Sequence, residues 1–219
     1  MKEFIFICKE IWKGHTILRA FLNLRLSTEM LRGLIIDIGG GRNSDYIQFM
    51  EKEKSVSLES FDPKSGQSIN FEVDNLPAEN SSYDTVLFLN VMEHIYNHKH
   101  IVNEVYRISR EGGVVIGFVP FMMWYHADPS DYFRYTHECL ERIFKEAGVD
   151  SYEIESISRG PFTVASHFFL WPLPRVLRVP MYLPFHLLDG IFLRLRPAHK
   201  DRYALGYFFK LKKMPVVRI

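Results

Sequence analysis

The sequence predicts an α/β fold in which a mostly parallel sheet lies between layers of helices. Three observations lead to this prediction. Apolar runs with the length of buried strands alternate with segments whose apolar residues recur at helical spacing. Continuous apolar runs are typical of parallel strands that are covered on both faces. Finally, a run of three glycines directly follows the first of these strands, where such sheets bind their ligands.

The first half of the sheet is predicted from short apolar runs. Residues 33–38 (GLIIDI) have the continuous apolar character of a buried strand, and residues 43–52 can follow them as a helix. Residues 54–62 alternate loosely between apolar and polar side chains, and this strand ends on Asp62. Residues 70–73 (NFEV) are interpreted as a further strand.

The second half combines buried strands with amphipathic helices. Residues 83–90 (YDTVLFLN) and 112–120 (GGVVIGFVP) are continuous apolar runs, and residues 98–109 carry four apolar side chains at helical spacing. Thr136 is a good N-cap for the next helix, and Gly148 is a good residue to end it. Two late strands are predicted within residues 152–158 and 203–213.

Length and composition are those of a globular protein, and the charge is distributed unevenly along the chain. The 219 residues are 47% hydrophobic and 24% charged, which suits one domain with an elaboration. The net charge of +1 combines +3 in residues 1–32, −11 in residues 33–158 and +9 in residues 159–219. The basic C-terminal part indicates an anionic partner, such as a membrane surface, and no nucleic-acid partner is expected.

We divide the chain into four parts on this basis. They are an N-terminal helical cap (1–32), a ligand-binding α/β domain (33–159), an apolar basic helical insertion (160–200), and a final strand with the C-terminus (201–219). Apolar residues at helical intervals over residues 4–25 predict a helix that covers the ligand site.

The insertion contains six of the eleven prolines. Because proline lacks a backbone N–H and clashes with the preceding turn, we expect short, broken helices there. Apolar faces flanked by arginines suit a helix that lies in the plane of a membrane surface, and they equally suit a lid or a homodimer interface. No stretch of 18 or more apolar residues lacks a charge or a proline, so a simple membrane span is not expected.

The glycine run Gly39–Gly41 indicates a ligand that approaches the backbone closely. Asp62 follows 21 residues later at the end of the second strand, where a carboxylate can accept hydrogen bonds from ribose hydroxyls. The dinucleotide fingerprint is broken by Asn43 and Ser44, which stand where small residues and glycine are usual. Asp37 disfavours a pyrophosphate and can bind an ammonium group. The sequence therefore favours a cationic nucleoside over a nicotinamide cofactor.

At these residues the chain resembles the class I S-adenosylmethionine-dependent methyltransferases, especially the type 11 group. The matching segments are DIGGGRN (37–43), FD (61–62), VDNLPAENSSYDTV (73–86), NVMEHI (90–95) and EGGVVIGFVP (111–120). The resemblance covers about residues 33 to 159 and the final strand. It implies a Rossmann-like three-layer sandwich with a mostly parallel sheet, an antiparallel last strand and a helical insertion, and it implies S-adenosylmethionine as the cofactor.

The resemblance also implies which residues bind this cofactor. They are Asp37 for the methionine part, Gly39 and Gly41 for its backbone, Asp62 for the ribose hydroxyls, Asp74 with the backbone of Asn75 and Leu76 for the adenine, and Asn90 for the pocket floor. The histidines 94, 98 and 100 have no carboxylate or cysteine at ligand spacing, so no metal is predicted.

The loop after the fifth strand, YHADPSDYFRYT, is the predicted acceptor side of the site. His126 can act as a base, and Asp128 can orient it or bind hydroxyl groups. Asp131 and Tyr132 are candidate substrate-binding residues, and Arg134 can hold a carboxylate or phosphate, or can simply pair with Asp131. The loop resembles that of methyltransferase-like proteins from bacterial surface-polysaccharide gene clusters.

The predicted function is O-methylation of a sugar or lipid-linked glycan during cell-surface polysaccharide biosynthesis. A methyltransferase acting on a small molecule or a quinone-like lipid, and a catalytically silent membrane-associated binding protein, are the alternatives. Two cysteines without metal or redox spacing indicate a cytoplasmic location, with a peripheral contact at the inner face of the membrane where the insertion binds lipid.

Overall fold

The computed structural model describes residues 1–40, 44–61, 69–149 and 151–215. The chain forms two compact units. The helical unit consists of Met1–Glu29 and Ser156–Gly206, and the sheet unit consists of Met30–Glu155 and Tyr207–Ile219. The N-terminal segment and the predicted insertion thus fall into the same unit, while the four-part division of the sequence stays a prediction.

The strands are β1 (Met30–Leu31), β2 (Leu34–Ile38), β3 (Glu51–Lys52), β4 (Ser57–Phe61), β5 (Tyr83–Leu89), β6 (Ser109–Pro120), β7 (Ser151–Ile157) and β8 (Gly206–Lys212). Six of them form a sheet in the order β4-β2-β5-β6-β8-β7, and β1 pairs with β3 separately. β2 is parallel to β4 and β5, and β5 is parallel to β6. β8 runs antiparallel to β6, because the N–H of Gly112, near the start of β6, donates to the carbonyl of Lys213, just past the end of β8.

The helices are α1 (Lys2–Lys13), α2 (Ile17–Leu26), α3 (His98–Ile108), α4 (His137–Glu146), α5 (Pro161–Leu170) and α6 (Arg175–Leu195). In the sheet unit, α3 packs on β5 and β6. The ring of Phe144 on α4 lies 4.9 Å from that of Phe209 on β8. Thr136 caps α4 by accepting a hydrogen bond from the N–H of Cys139. The predicted Rossmann-like fold, a mostly parallel mixed sheet with flanking helices, is confirmed.

Two predicted elements of the sheet unit are wrong. The helix predicted over 43–52 is, in its described part, a 3₁₀ turn over Asp45–Phe49 followed by β3. The strand predicted over 70–73 is a turn, in which the carbonyl of Asn70 accepts hydrogen bonds from the N–H groups of Val73 and Asp74. Asn and Asp favour turns because their side chains bond to the nearby backbone, and the Asp74 carboxylate accepts from the N–H of Asn70 here.

The helical unit also departs from the sequence prediction. Residues 4–25 form two helices, since Gly14 adopts a left-handed conformation (φ 102°) and Thr16 caps α2. The expectation of short, broken helices in the insertion is wrong, because α6 continues for 21 residues through Pro180 and Pro184. Each proline removes one N–H only, and the two are exposed and lie four residues apart on one side of the helix. Among the described helices, α6 is long and apolar enough to cross a bilayer by length and composition.

Candidate active site

The sheet unit contains a cavity of about 650 Å³ at the carboxyl ends of β2 and β5. Its lining comprises Gly39, Gly40, Ile69, Asn70, Phe71, Glu72, Asn90, Val91, His94, Ile95, Asp128, Pro129, Ser130 and Tyr132. β2 and β5 are parallel neighbours, so the turns after them meet at one edge of the sheet. This is the edge at which α/β sheets of this kind bind ligands.

The glycine turn at this edge leaves no room for side chains. Gly39 has a φ of +80°, and a Cβ on it would lie 2.6 Å from a methyl group of Val91. A Cβ on Gly40 would lie 1.9 Å from a carboxylate oxygen of Asp37. Across the edge, Asn90 also has a positive φ, of 57°, which is uncommon for a residue other than glycine. The two turns therefore present backbone to the cavity at close range.

Asp37 is fully buried and holds the glycine turn in place. Its carboxylate accepts hydrogen bonds from the hydroxyl of Tyr46, at 2.6 Å, and from that of Ser44. The hydroxyl of Ser44 also lies 3.0 Å from the carbonyl of Gly40. Burial raises the pKa of Asp37, and the two hydroxyl groups oppose this shift. The departure from the dinucleotide fingerprint at Ser44 thus has a local role, while a direct contact between Asp37 and the cofactor stays a prediction.

Some of the other predicted cofactor residues lie outside the described part of the chain, and others are not among the described lining residues of the cavity. Gly41 and Asp62 lie outside the described residues. Asp74 and Asn75 are exposed, and the described wall of the cavity on that side is formed by residues 69–72 instead. The N–H of Leu76 donates to the Glu104 carboxylate at 2.7 Å, so it already has a partner within the protein. The adenine-binding role of this segment stays a prediction.

In the acceptor loop, Arg134 holds the backbone together. Its guanidinium binds both carboxylate oxygens of Asp131, at 2.5 and 2.7 Å, and donates to the carbonyls of Trp124 and Phe133. The same carboxylate accepts from the N–H of His126 at 2.8 Å. Arg134 lowers the pKa of Asp131 to about 2. Of the two sequence interpretations of Arg134, the structure shows the pairing with Asp131.

Two histidine rings face one buried carboxylate beside the cavity. The Nε2 atoms of His94 and His126 each lie 3.7 Å from Oε1 of Glu93, and the two rings are 5.1 Å apart in an edge-to-face arrangement. The Nδ1 atoms face carbonyls, that of Ser130 at 2.6 Å for His94 and that of Trp124 at 3.2 Å for His126. Glu93 has no exposed surface, and its Oε2 has no hydrogen-bond partner among the described residues. We call these three residues the Glu93 cluster.

The Glu93 cluster raises the basicity of one histidine in particular. The Glu93 carboxylate is the main cause of a raised pKa of His126, and partial burial opposes it. The ligand-type atoms of the three residues lie within 4.8 Å of one another, close enough to share a metal ion. However, the Arg134 guanidinium lies 3.3 Å from Nδ1 of His126, and its positive charge disfavours a second cation there. The arrangement is better suited to moving a proton.

Glu93 and His94 carry chemistry that the sequence analysis did not assign. Both belong to a 3₁₀ turn (Met92–His94) shortly after β5, and His126 belongs to the loop after β6. Because β5 and β6 are parallel neighbours, the segments after them lie at the same edge of the sheet. The sequence contains one signal of this cluster. It is an acidic residue and a histidine shortly after one buried strand, together with a second histidine after the next strand. His94 lines the cavity, whereas His126 is not among its described lining residues.

The strand order, the glycine turn and the cavity define a Rossmann-like α/β protein with a nucleoside-binding edge. A family model described as a methyltransferase domain matches residues 14–153. The chain therefore belongs to this methyltransferase family, and it is an enzyme. No curated protein matches the sequence significantly.

Two solved structures share the fold over nearly their whole length. One is a chain in the complex between the Haloferax volcanii Trm112 methyltransferase activator and its methyltransferase (13% identity, TM-score 0.53, 97% of this chain and 98% of that chain). The other is an S-adenosylmethionine-dependent methyltransferase from Archaeoglobus fulgidus (13% identity, TM-score 0.50, 95% and 99%). At these identities the two structures establish the fold.

S-adenosylmethionine is the methyl donor of the enzyme, and the described site fits it. The cavity volume lies within the usual range for small-molecule sites. The tight approach of Gly39 to Val91 forms a cradle that a Cβ would fill. Gly39, Gly40 and Asn90 are the described residues that would hold the donor at this edge.

Proposed function

We propose that the enzyme O-methylates a sugar or a lipid-linked glycan in cell-surface polysaccharide biosynthesis, in the cytoplasm at the inner face of the membrane. The observation that carries the proposal is the Glu93 cluster, which places a basic imidazole beside the donor-binding edge. A neutral hydroxyl is a poor nucleophile, and a base that removes its proton during the transfer is the group it requires.

The described cavity lining supports a neutral, hydroxylated acceptor. It offers the Asp128 carboxylate, the Asn90 amide and the Tyr132 hydroxyl to bond with sugar hydroxyls. The carboxylate of Glu72, which also lines the cavity, accepts hydrogen bonds from the N–H groups of Tyr96 and Asn97. No lysine or arginine belongs to the lining as far as the structure describes it, which disfavours a phosphate or carboxylate as the methylated group. The polar side chains of the lining also favour a sugar over a quinone-like ring.

Base catalysis is assigned to Nε2 of His126. When bound, S-adenosylmethionine supplies an electrophilic methyl group on a sulfonium. In the tautomer that carries its proton on Nδ1, His126 donates to the carbonyl of Trp124, and Nε2 can then take the acceptor's proton. At 3.7 Å, Glu93 is too far from Nε2 to occupy it with a short hydrogen bond, yet close enough to stabilise the imidazolium that forms.

His94 is the second candidate for the base, because it lines the cavity and its Nδ1 is held by Ser130. Asp128 also lines the cavity, and we assign it to binding an acceptor hydroxyl. Asp131 and Arg134 hold the loop that carries His126, so we assign them a positioning role.

The acceptor class can be tested with lipid-linked glycans extracted from bacterial membranes. We expect the purified enzyme to transfer a labelled methyl group to the extract, and mass spectrometry of the hydrolysed sugars to show a methyl ether. Periodate treatment, which cleaves sugars at neighbouring hydroxyls, should remove most of the acceptor activity. A methyl ester, an N-methyl product or full activity after periodate would contradict the proposal.

The Glu93 cluster predicts a shift in pH dependence. Because His126 must be neutral to act as a base, kcat/KM should rise with pH through its raised pKa, which lies above the ordinary value of 6.5. Glu93→Gln removes the main cause of that shift, so the rising limb should move to lower pH. Glu72→Gln also alters a lining residue but should leave the limb in place. If the rising part of the pH profile of kcat/KM stays at the same pH in Glu93→Gln, then Glu93 is not the group that raises the pKa of His126.

A further inference from the structure

Helix α6 turns Tyr182 and Asp189 into the helical unit and exposes most of its apolar side chains. Its only buried residues in the described chain are Tyr182 and Asp189. The opposite side presents apolar residues that are between 42% and 74% exposed, among them Val176, Leu183, Leu187, Leu188, Ile191 and Leu195. A helix on a water-exposed surface normally has the reverse arrangement. A continuous apolar face of this length marks an interaction surface.

Two inward-facing residues tie α6 to the rest of the helical unit. The Asp189 carboxylate accepts hydrogen bonds from the N–H groups of Phe162 and Thr163, at 3.0 and 2.8 Å, and so caps the start of α5. Tyr182 is buried, and its ring stacks on that of Phe4 of α1. If α6 crossed a bilayer alone, α5 would lose its cap and Asp189 would enter hydrocarbon, which is costly. The contacts therefore favour a helix that lies in the plane of a membrane surface.

The apolar face continues from α6 onto α1. A groove of about 580 Å³ separates the two helices, and its lining includes Ile5, Trp12, Val179 and Leu183. Lys9 and Lys13 also line it, and Lys13 pairs with the Glu10 carboxylate at 2.7 Å. Trp12 is 59% exposed. Tryptophan is enriched at the boundary between headgroups and acyl chains. The groove thus offers apolar walls for a lipid chain and positive charge for a headgroup.

The positive charge of the helical unit favours an anionic partner at this face. The unit carries twelve Lys or Arg and five Asp or Glu, and three of the acidic residues, Glu10, Glu29 and Asp189, are buried. Arg175 and Arg194 stand at the two ends of α6 and are exposed. A second copy of the chain would bring the same positive charge against itself, whereas anionic lipid headgroups complement it.

We infer that the outer face of α6 and the adjoining groove dock in the plane of an anionic phospholipid bilayer, with acyl chains against the apolar side chains and phosphates at the flanking lysines and arginines. The inference concerns a surface of the helical unit and does not depend on the identity of the methyl acceptor.

Vesicle sedimentation tests this inference. We expect the protein to pellet with phosphatidylcholine vesicles that contain roughly one third phosphatidylglycerol, and far less with phosphatidylcholine alone. The double variant Leu187→Ser/Ile191→Ser should bind about 10- to 100-fold more weakly, because it removes two side chains that would be buried in lipid. The matched control Leu58→Ser/Val73→Ser removes exposed apolar side chains from the sheet unit and should bind as the wild type does.

Titration calorimetry with S-adenosylmethionine, without vesicles, separates this inference from methyl transfer, and all three proteins should bind the donor equally. Brominated lipids should quench Trp12 more than Trp124. Wild-type binding by the Leu187→Ser/Ile191→Ser variant, or equal binding to neutral vesicles, would overturn the inference. So would a wild-type dimer that the double variant converts to a monomer while vesicle binding is unchanged, since the face would then join two copies.

Discussion

Replacing His126 by alanine should lower turnover about 10²- to 10⁴-fold, the usual contribution of a positioned base. The affinity for S-adenosylmethionine should stay near that of the wild type, because His126 is not among the described residues that line the donor cavity. The measurement is single-turnover methyl transfer to the glycan acceptor, with donor binding determined by calorimetry. The loss should be greatest above the raised pKa of His126, where the wild-type imidazole is neutral.

Two further histidine variants make this test specific. His137→Ala alters an exposed histidine at the start of α4 and should leave turnover unchanged. His94→Ala tests the cavity-lining member of the Glu93 cluster, and as the neighbour of the base it should cost less than His126→Ala. If His94→Ala abolishes turnover while His126→Ala does not, the base is His94. If neither variant slows the reaction, the acceptor needs no base and is not a neutral hydroxyl.

The fold could be predicted from the sequence because its central strands are continuous apolar runs. Residues 83–90 contain β5 and residues 112–120 form most of β6, and the apolar side chains of residues 86–89 and 115–119 are buried. The segments whose secondary structure is predicted incorrectly are short and lie next to turns. In residues 70–73 the apolar pattern suggested a strand, but Asn70 and Asp74 bond to each other's backbone and close a turn instead.

The candidate site could be predicted only in part, since it depends on which strands are neighbours. The glycine turn and Asn90 follow their strands directly, so their position at one edge follows from the parallel sheet. The Glu93 cluster joins segments that are more than 30 residues apart in sequence, and nothing in either segment specifies a distance. The role of Arg134 was likewise open, because pairing with Asp131 and binding an anion need the same side chain.

Helix α6 shows a different limit of sequence-based prediction. Pro180 and Pro184 predict a break in the insertion, yet the spacing of four residues places both on one exposed side of a continuous helix. The loss of two hydrogen bonds there is local. The inverted arrangement of polar and apolar side chains becomes visible only when the buried contacts of Tyr182 and Asp189 identify the inner face.

The second large effect is expected at the glycine turn, where Gly39→Val should abolish detectable binding of S-adenosylmethionine. A side chain here would fill the cradle and would meet Val91, which lies 2.6 Å from the position of the new Cβ. The positive φ of this residue adds backbone strain of about 1–3 kcal/mol. The unfolding temperature should therefore fall by several degrees, at about 2–4 °C per kcal/mol. Calorimetry and thermal unfolding measure the two effects separately.

A matched variant separates strain from occlusion. Gly148 also has a positive φ, of 68°, but a Cβ on it would meet no atom within 4 Å. Gly148→Val should therefore show the thermal effect of strain and retain normal donor binding. In a Gly39→Ala background, Val91→Ala removes the clash with the neighbouring side chain and leaves the new methyl group in the cradle. If donor binding stays lost in this double variant, the cradle itself receives the donor. If binding returns, Gly39 serves only to pack against Val91, and the donor lies elsewhere along the edge.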